Sequence, residues 1–388
     1  MEYAIRDLVL IANDYAKKTG KDILRLNIGD PIKYDYETPG YMCNALCQAV
    51  KEGCNYYADS KGQDDLRKAI IKREKRDNKI SLDLEDIYVT NGVSEAIRSV
   101  FIGAFESGDE ILIPGPVYPP YKSYADLLGV TATEYTCIEE EGWIPDVEDI
   151  RKKINEKTKA LLLINPNNPT GAVYNAKTVK KILDIAGEHG LFVISDEIYD
   201  RILYDINECP NTANLAGEIP VITFYGLSKV YLAPGWRIGY MYKSDPTNRL
   251  ERVWRGILKV LLVRLSSNTP SQRAAAAALL APQDHIKQLI KKTKGRRDFI
   301  YQRLTEIPGI RTQKPEGAFY IFPKIVDEPY ATDDKKFVLD LMKKKQVLFV
   351  NGSGFGEHGK GHFRSVFLAP IPTLKEAMNR LEDFMKES

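Results

Sequence analysis

Between about residues 85 and 245, short apolar runs alternate with stretches long enough to hold a helix, and this rhythm limits the possible folds more than any other feature. The runs are 87–90 (IYVT), 111–113 (ILI), 161–164 (LLLI), 191–195 (LFVIS) and 221–225 (VITFY). Continuous apolar runs of this length suit strands buried on both faces, and helix-length spacers supply the crossovers that parallel neighbours require. The expectation is an α/β chain whose large domain is a mostly parallel sheet covered by helices.

Past residue 245 the pattern changes. Stretches 274–281 and 287–303 read as helices and a Pro-Gly turn follows at 308–309. Beyond it 318–322, 347–350 and 362–368 read as strands and 333–345 as a helix, which predicts a smaller α+β domain. The amphipathic start of the chain is expected to join it. The predicted division is therefore 1–45 with the small domain, 46–280 as the large domain and 281–388 as the rest of the small one.

Composition removes several function classes. The 388 residues carry 55 basic and 53 acidic side chains, a formal charge of +2, with the cations scattered among acids. No basic stripe is available to displace counterions from a nucleic acid. The apolar runs are too short to cross a bilayer and the first residues lack the apolar block of a signal peptide, so no membrane partner and a cytoplasmic location are expected. Five cysteines make an odd number and read as free thiols. Cys43 and Cys47 are four apart, as are His358 and His362, but neither pair has a partner at matching spacing, so no metal is expected.

Each apolar run ends in polar or turn-forming residues: 91–94 (NGVS), 114–118 (PGPVY), 165–171 (NPNNPTG), 196–199 (DEIY) and 226–229 (GLSK). In open α/β sheets the ligand crevice lies beyond the carboxyl ends of the strands, so these segments are expected to converge. Together they offer an amine (Lys229), a buried acid (Asp196), a phenol (Tyr199), an amide (Asn168) and an aromatic ring (Tyr118). Val93 and Ser94 open a helical stretch, where free N–H groups and the helix dipole favour a phosphate. Arg237 lies eight positions after Lys229 in a Pro-Gly-Trp-Arg turn and can add a charge-assisted bond. A lysine to condense with an aldehyde, an acid to keep a pyridinium protonated and a phosphate cup together describe a pyridoxal-phosphate site.

The chain resembles the fold-type I, class I/II aminotransferases, and within them the alanine–glutamate branch. The resemblance runs in order through 28–31 (IGDP), 56–66 (YYADSKGQDDL), 114–121 (PGPVYPPY), 165–174 (NPNNPTGAVY), 195–199 (SDEIY), 226–239 (GLSKVYLAPGWRIG), 314–324 (KPEGAFYIFPK) and 352–364 (GSGFGEHGKGHFR). It implies that Lys229 carries the cofactor as a Schiff base and moves the substrate proton. It implies that Asp196 pairs with the pyridine nitrogen, and that Tyr199 and Asn168 bond the ring's phenolic oxygen. Tyr118 would stack on the ring, and Val93, Ser94, Ser228 and Arg237 would hold the phosphate. Tyr57 would reach in from a second subunit, giving a homodimer with shared active sites. Arg364 would fork onto the substrate α-carboxylate, helped by the backbone at Gly29. The one departure is Gly226, where many relatives have a serine; the alanine-type branch shares the glycine.

Taken singly, Lys229 reads as a surface lysine and Asp196 as a turn residue; only the ordered set overturns this. Two rivals fail on context. Gly354-x-Gly356-x-x-Gly359 matches a dinucleotide fingerprint, but loop and strand follow where a helix is needed. The same stretch lacks the Ser or Thr that a P-loop needs at position 361, which is Gly. The expected activity is a two-step, ping-pong transfer of an α-amino group between an L-amino acid, first L-alanine, and 2-oxoglutarate. Aspartate or a broad set of amino acids is the alternative. Arg25 and Arg264 are candidate cations for a distal carboxylate, with other side chains left open.

Overall fold

The computed structural model describes residues 4–387; the first three residues of the predicted 1–45 segment lie outside it. The chain begins with α1 (Ala4–Thr19), β1 (Leu24–Arg25), α2 (Gly40–Lys51) and α3 (Asp64–Arg73). A π-helical turn, Glu74–Asn78, prolongs α3. Then the alternation read from the sequence sets in. It runs through β2 (Ile87–Thr90), α4 (Val93–Ala104), β3 (Glu110–Gly115), α5 (Pro119–Leu128), β4 (Thr131–Ile138), β5 (Ile144–Pro145), α6 (Val147–Lys153) and β6 (Thr158–Ile164). It continues with α7 (Ala176–Glu188), β7 (Phe192–Asp196), α8 (Thr212–Leu215), β8 (Val221–Gly226) and β9 (Gly239–Ser244).

These strands form one eight-stranded sheet in the order β2-β9-β8-β7-β6-β3-β4-β5. The pairs β8/β7, β7/β6, β6/β3 and β3/β4 are parallel, and β9 runs antiparallel to both β8 and β2. It follows that β2, β3, β4, β6, β7 and β8 all point one way, so their carboxyl ends share one edge. Alternate residues feed two cores. Leu161, Leu163, Val193 and Tyr225 face one, with α7 (Ile182, Leu183); Leu162, Ile164, Ile194 and Phe224 face the other, with α4 (Ile97, Phe101). Burial on both faces is why these strands lack polar alternation. Three strands were not among the runs singled out: β4, whose outer residues are partly exposed, the two-residue β5, and β9, which starts at a glycine and ends in Lys243 and Ser244.

The chain leaves the sheet through α9 (Glu251–Val263) and α10 (Thr269–Leu280), the latter packed on α2 and α3. The last part is α11 (Asp284–Glu306), β10 (Ile310–Arg311), β11 (Tyr320–Ile321), β12 (Lys324–Ile325), α12 (Asp334–Lys345), β13 (Val347–Leu348), β14 (Val350–Asn351), β15 (Phe363–Val366) and α13 (Ile371–Lys386). Here β11, β15 and β14 make an antiparallel sheet, and β1 returns from the N-terminus to pair in parallel with β13. The hydroxyl of Tyr15 on α1 donates to the carbonyl of Lys343 at 2.8 Å.

The last part meets the eight-stranded sheet along a polar seam. Glu134 on β4 accepts from the Glu357 and His358 N–H groups at 3.0 and 3.2 Å and contacts His358 Nδ1 at 2.9 Å. His362 Nε2 lies 3.2 Å from Glu139, and the Val117 N–H donates to the carbonyl of Phe355 at 2.9 Å. Both histidines thus serve as carboxylate partners across the seam. Among the described residues no helix is long and apolar enough to cross a membrane.

Candidate active site

Because the strands run together, the segments that follow them open at one edge of the sheet and enclose a cavity of about 460 Å³. Gly29, Val93, Ser94, Tyr118, Asn168, Asp196, Tyr199, Ser228, Lys229, Arg237 and Arg364 all line it. Tyr57 does not; it lies on the surface, 82% exposed.

Asp196 closes β7 and is only 3% exposed. Its Oδ2 accepts from the Tyr121 hydroxyl at 2.7 Å and its Oδ1 from the Ile198 N–H at 3.3 Å. Burial pushes its carboxyl up to about 6, against the pull of those donors and of the Lys229 charge. An acid so placed gains from any cation that enters the cavity. Tyr121 carries no role in the sequence reading, although the motif 114–121 contains it; its position three residues after Tyr118 is the signal that was there to use.

Lys229 sits in the turn after β8 and its Nζ donates to the carbonyl of Gly29 at 2.6 Å. A backbone carbonyl holds the amine in place without the strong charge pairing that a carboxylate would impose. The Tyr199 ring centroid lies 5.9 Å from the same nitrogen. The Tyr199 hydroxyl shares a 2.7 Å hydrogen bond with that of Tyr320, and burial, reinforced by Tyr320, pushes the Tyr199 phenol well above its ordinary range. A Cβ on Gly29 would collide with the Tyr320 hydroxyl, so the close pass of this segment requires glycine. Tyr320 is a second residue the sequence reading left without a role.

The start of α4 is suited to an anion. Gly92 caps the helix at φ +78°, and Val93 and Ser94 form its first turn. Arg237, itself at φ +53°, folds over this turn, donating to the carbonyls of Pro234 at 3.0 Å and Asn91 at 3.3 Å. A Cβ on Gly92 would come within 2.6 Å of the Arg237 guanidinium, so left-handed backbone and close approach both demand glycine there. The side chains of Ser94 and Ser228 supply hydroxyls at this end. Gly226 is the last residue of β8 and packs against Val93.

Arg364, on β15, is 2% exposed. Its Nη1 donates to Asn168 Oδ1 at 2.8 Å and its Nη2 to the carbonyl of Asn27 at 2.9 Å. Its guanidinium carbon lies 4.4 Å from the Tyr320 ring centroid and 4.8 Å from that of Phe355. Sandwiched in this way, the fork has one orientation and presents a fixed cation to the cavity. Asn168 spends its oxygen on Arg364, which leaves only its amide N–H₂ to offer.

Neither arginine considered for a distal carboxylate lines the cavity. Arg25 donates to Asn13 at 2.8 Å, and Arg264 pairs with Glu95 at 3.3 Å while donating to the carbonyls of Ser60 and Val89. The cation that does line it is Arg6, exposed on α1 next to the buried Ile5. Among the described residues Arg6 has no ion-pair partner, and no group of three His, Cys, Asp or Glu is placed to hold a metal. The cavity thus joins a reactive amine, a desolvated acid, a helix-start anion seat and a buried guanidinium. That donor set fits pyridoxal phosphate bound together with a carboxylate substrate.

Residues 21–381 match the family described as aminotransferase class I and II. The glutamate–pyruvate aminotransferase of Haemophilus influenzae is 37% identical over 96% of this chain and 92% of that protein. The alanine aminotransferase of Mycobacterium tuberculosis is 38% identical, covering 94% of this chain and 86% of that protein. Among solved structures, an alanine aminotransferase from Pyrococcus furiosus superposes with a TM-score of 0.97 at 55% identity, covering 100% of this chain and 98% of that one.

Proposed function

The chain belongs to the class I and II aminotransferases, and on that premise we propose that it moves the α-amino group between L-alanine and 2-oxoglutarate. It is a pyridoxal-phosphate-dependent transferase. When bound, the cofactor supplies an aldehyde to capture amines and a ring that draws electrons from the substrate Cα.

The observation that carries the reading is the convergence of Lys229, Asp196 and Arg364 on one cavity. Lys229 would hold the aldehyde and, once freed by the substrate amine, would take the proton from the substrate Cα and deliver it to the carbon that had carried the aldehyde. Asp196, kept dry and oriented by Tyr121, would hold the ring nitrogen in its charged form. Tyr118, which lines the cavity, would cover the ring face. Tyr199 and Asn168 would present an O–H and an N–H to the ring oxygen, and Val93, Ser94, Ser228 and Arg237, which line the same cavity, would grip the phosphate. Arg364 receives the substrate α-carboxylate beside the backbone of Gly29, so that every amino acid enters with the same atom facing Lys229. With one site for donor and acceptor, the first 2-oxo acid leaves before the second enters, which gives ping-pong kinetics.

Alanine as donor is supported by the relatives named for it. For 2-oxoglutarate, the described residues that line the cavity include one cation with no other task. Arg237 serves the phosphate, Lys229 the aldehyde and Arg364 the α-carboxylate, so we assign the distal carboxylate to Arg6. A homodimer accords with Tyr57 and with the exposed Leu262, Val263 and Leu265, apolar side chains that a second copy would cover. We place the dimer in the cytoplasm and divide each subunit into a large cofactor body and a smaller one formed by the two chain ends. The large body begins at α2, which packs on α10 along its length and contains residue 45.

The test is borohydride reduction of the yellow holoenzyme followed by peptide mapping, with Lys229 the expected tag. A tag elsewhere, or no chromophore with added cofactor, defeats the reading. Mixing holoenzyme with single amino acids and following the loss of the yellow band then identifies the donor, with L-alanine and L-glutamate expected to react.

A further inference from the structure

The turn that carries Asp196 and Tyr199 has a second side. While these two line the cavity, Glu197 and Asp200 do not; they belong to a separate polar layer in which Glu197 is buried and Asp200 half-buried. Glu197, 2% exposed, accepts from Ser195 Oγ at 2.9 Å, Asn211 Nδ2 at 2.7 Å and the Thr212 N–H at 2.9 Å. Asp200 accepts from Nη2 of Arg73.

Arg73 is 1% exposed and does more than neutralise Asp200. It is the last residue of α3, at the junction with the π-helical turn Glu74–Asn78, the kind of local irregularity that re-aims side chains at functional positions. Its Nη1 donates to Glu74 Oε1 at 2.6 Å, the atom that also accepts from the Tyr240 hydroxyl at 2.6 Å. Its guanidinium carbon lies 3.9 Å from the Tyr225 ring centroid. Tyr225 stands at the end of β8, four residues before Lys229. A single guanidinium thus touches the chain one residue beyond Tyr199 and the strand end that leads into Lys229. Its Nε also lies 3.4 Å from Asp77 Oδ2. Desolvating one cation among three carboxylates costs about as much as their attraction returns, so stability alone does not account for the cluster. What it supplies is a fixed geometry between two chain segments.

We propose that Arg73 is a positioning residue that clamps the Tyr199 turn to the Lys229 turn and so sets the phenol and the amine relative to each other. This rests on the cofactor reading above. The plane of the fork and its fixed donors matter, so lysine cannot replace it although the charge is kept.

The test uses holoenzyme carrying Arg73→Lys or Asp200→Asn, with two readouts. The first is the pH titration of the cofactor's visible absorbance, and the second is kcat against KM for the alanine half-reaction. We expect Arg73→Lys to move the titration midpoint by about half a pH unit or more and to lower kcat about tenfold, with KM within about threefold, since a small misplacement of reacting groups acts on the chemical step. Asp200→Asn keeps the ring contact and the packing, and it is expected to change the same two readouts by a smaller factor. It decides the matter should Arg73→Lys not fold. Folded variants whose titration and kcat match the parent overturn the clamp, even where thermal stability falls. Failure to tag Lys229 in the parent overturns the cofactor reading and the clamp with it, whereas a tagged parent with unmoved variants overturns the clamp alone.

Discussion

The hydroxyl of Tyr121 donates to Oδ2 of Asp196 across 75 residues of sequence, at 2.7 Å in a fully buried setting. Asp196 owes its orientation to this bond, and the desolvation that raises its carboxyl makes it a ready partner for a pyridinium. A hydrogen bond to a charged group contributes about 1.5–3 kcal/mol. Tyr121→Phe is therefore expected to weaken cofactor affinity by about tenfold or more, measured by absorbance titration of the cofactor-free protein. An unchanged dissociation constant would remove Tyr121 from the site.

Removing the acid itself goes further. Asp196→Ala is expected to keep the fold, because the residue sits at a strand end with its backbone still paired to Phe224 on β8. It should lose most of its turnover, since nothing then holds the ring nitrogen charged. Circular dichroism and stopped-flow half-reactions separate the two effects, and near-normal transfer by a folded variant contradicts the role.

Arg364→Leu tests the α-carboxylate site. The guanidinium is desolvated between two rings, so losing its pair with a carboxylate is expected to cost a few kcal/mol of substrate binding, seen as a large rise in KM for every amino acid. An unchanged KM reassigns the residue.

Arg6→Gln separates the two substrates. Alanine and pyruvate have no distal carboxylate, so their half-reaction is expected to change by less than about twofold, while glutamate and 2-oxoglutarate should lose roughly tenfold or more in kcat/KM. Equal effects on both, or none, would move the distal site elsewhere.

The pH dependence of the cofactor-free protein follows from Glu197, whose carboxyl burial pushes from 4.5 up to about 7. A raised folded value means that the folded chain binds more protons than the unfolded one between these limits. The stabilising share is then fully present below about pH 4.5 and is lost as pH rises through about 7. From 1.36 kcal/mol per unit it is on the order of 3 kcal/mol. Asp196 behaves alike up to about 6, a share that a bound cofactor cancels by favouring the carboxylate. Denaturant midpoints of the parent minus those of Glu197→Gln should fall across this range; a flat difference refutes the assignment.

Much of this site was legible in one dimension because strand periodicity and strand-end chemistry are local. Continuous apolar runs placed five of the six strands that point one way, and the residues after them carried Asn168, Asp196, Ser228 and Lys229 to a common edge whatever the strand order. β4 and β9 were harder to see. One alternates polar and apolar residues near the edge of the sheet, and the other runs against its neighbours, a direction that no local pattern encodes.

By itself the sequence determined the layered α/β fold, the amine, the acid, the anion seat and the two placed arginines, Arg237 and Arg364. Only the tertiary structure decided who holds them. Tyr121 orients Asp196, Tyr320 and Phe355 fix Arg364, Arg73 ties two turns together, and Arg6, not Arg25 or Arg264, faces the cavity. These pairings join residues far apart in the chain, and their partners are set by helix packing and by how the chain ends return to the sheet. A side chain's type states what it can bond; its neighbours in space decide what it does bond.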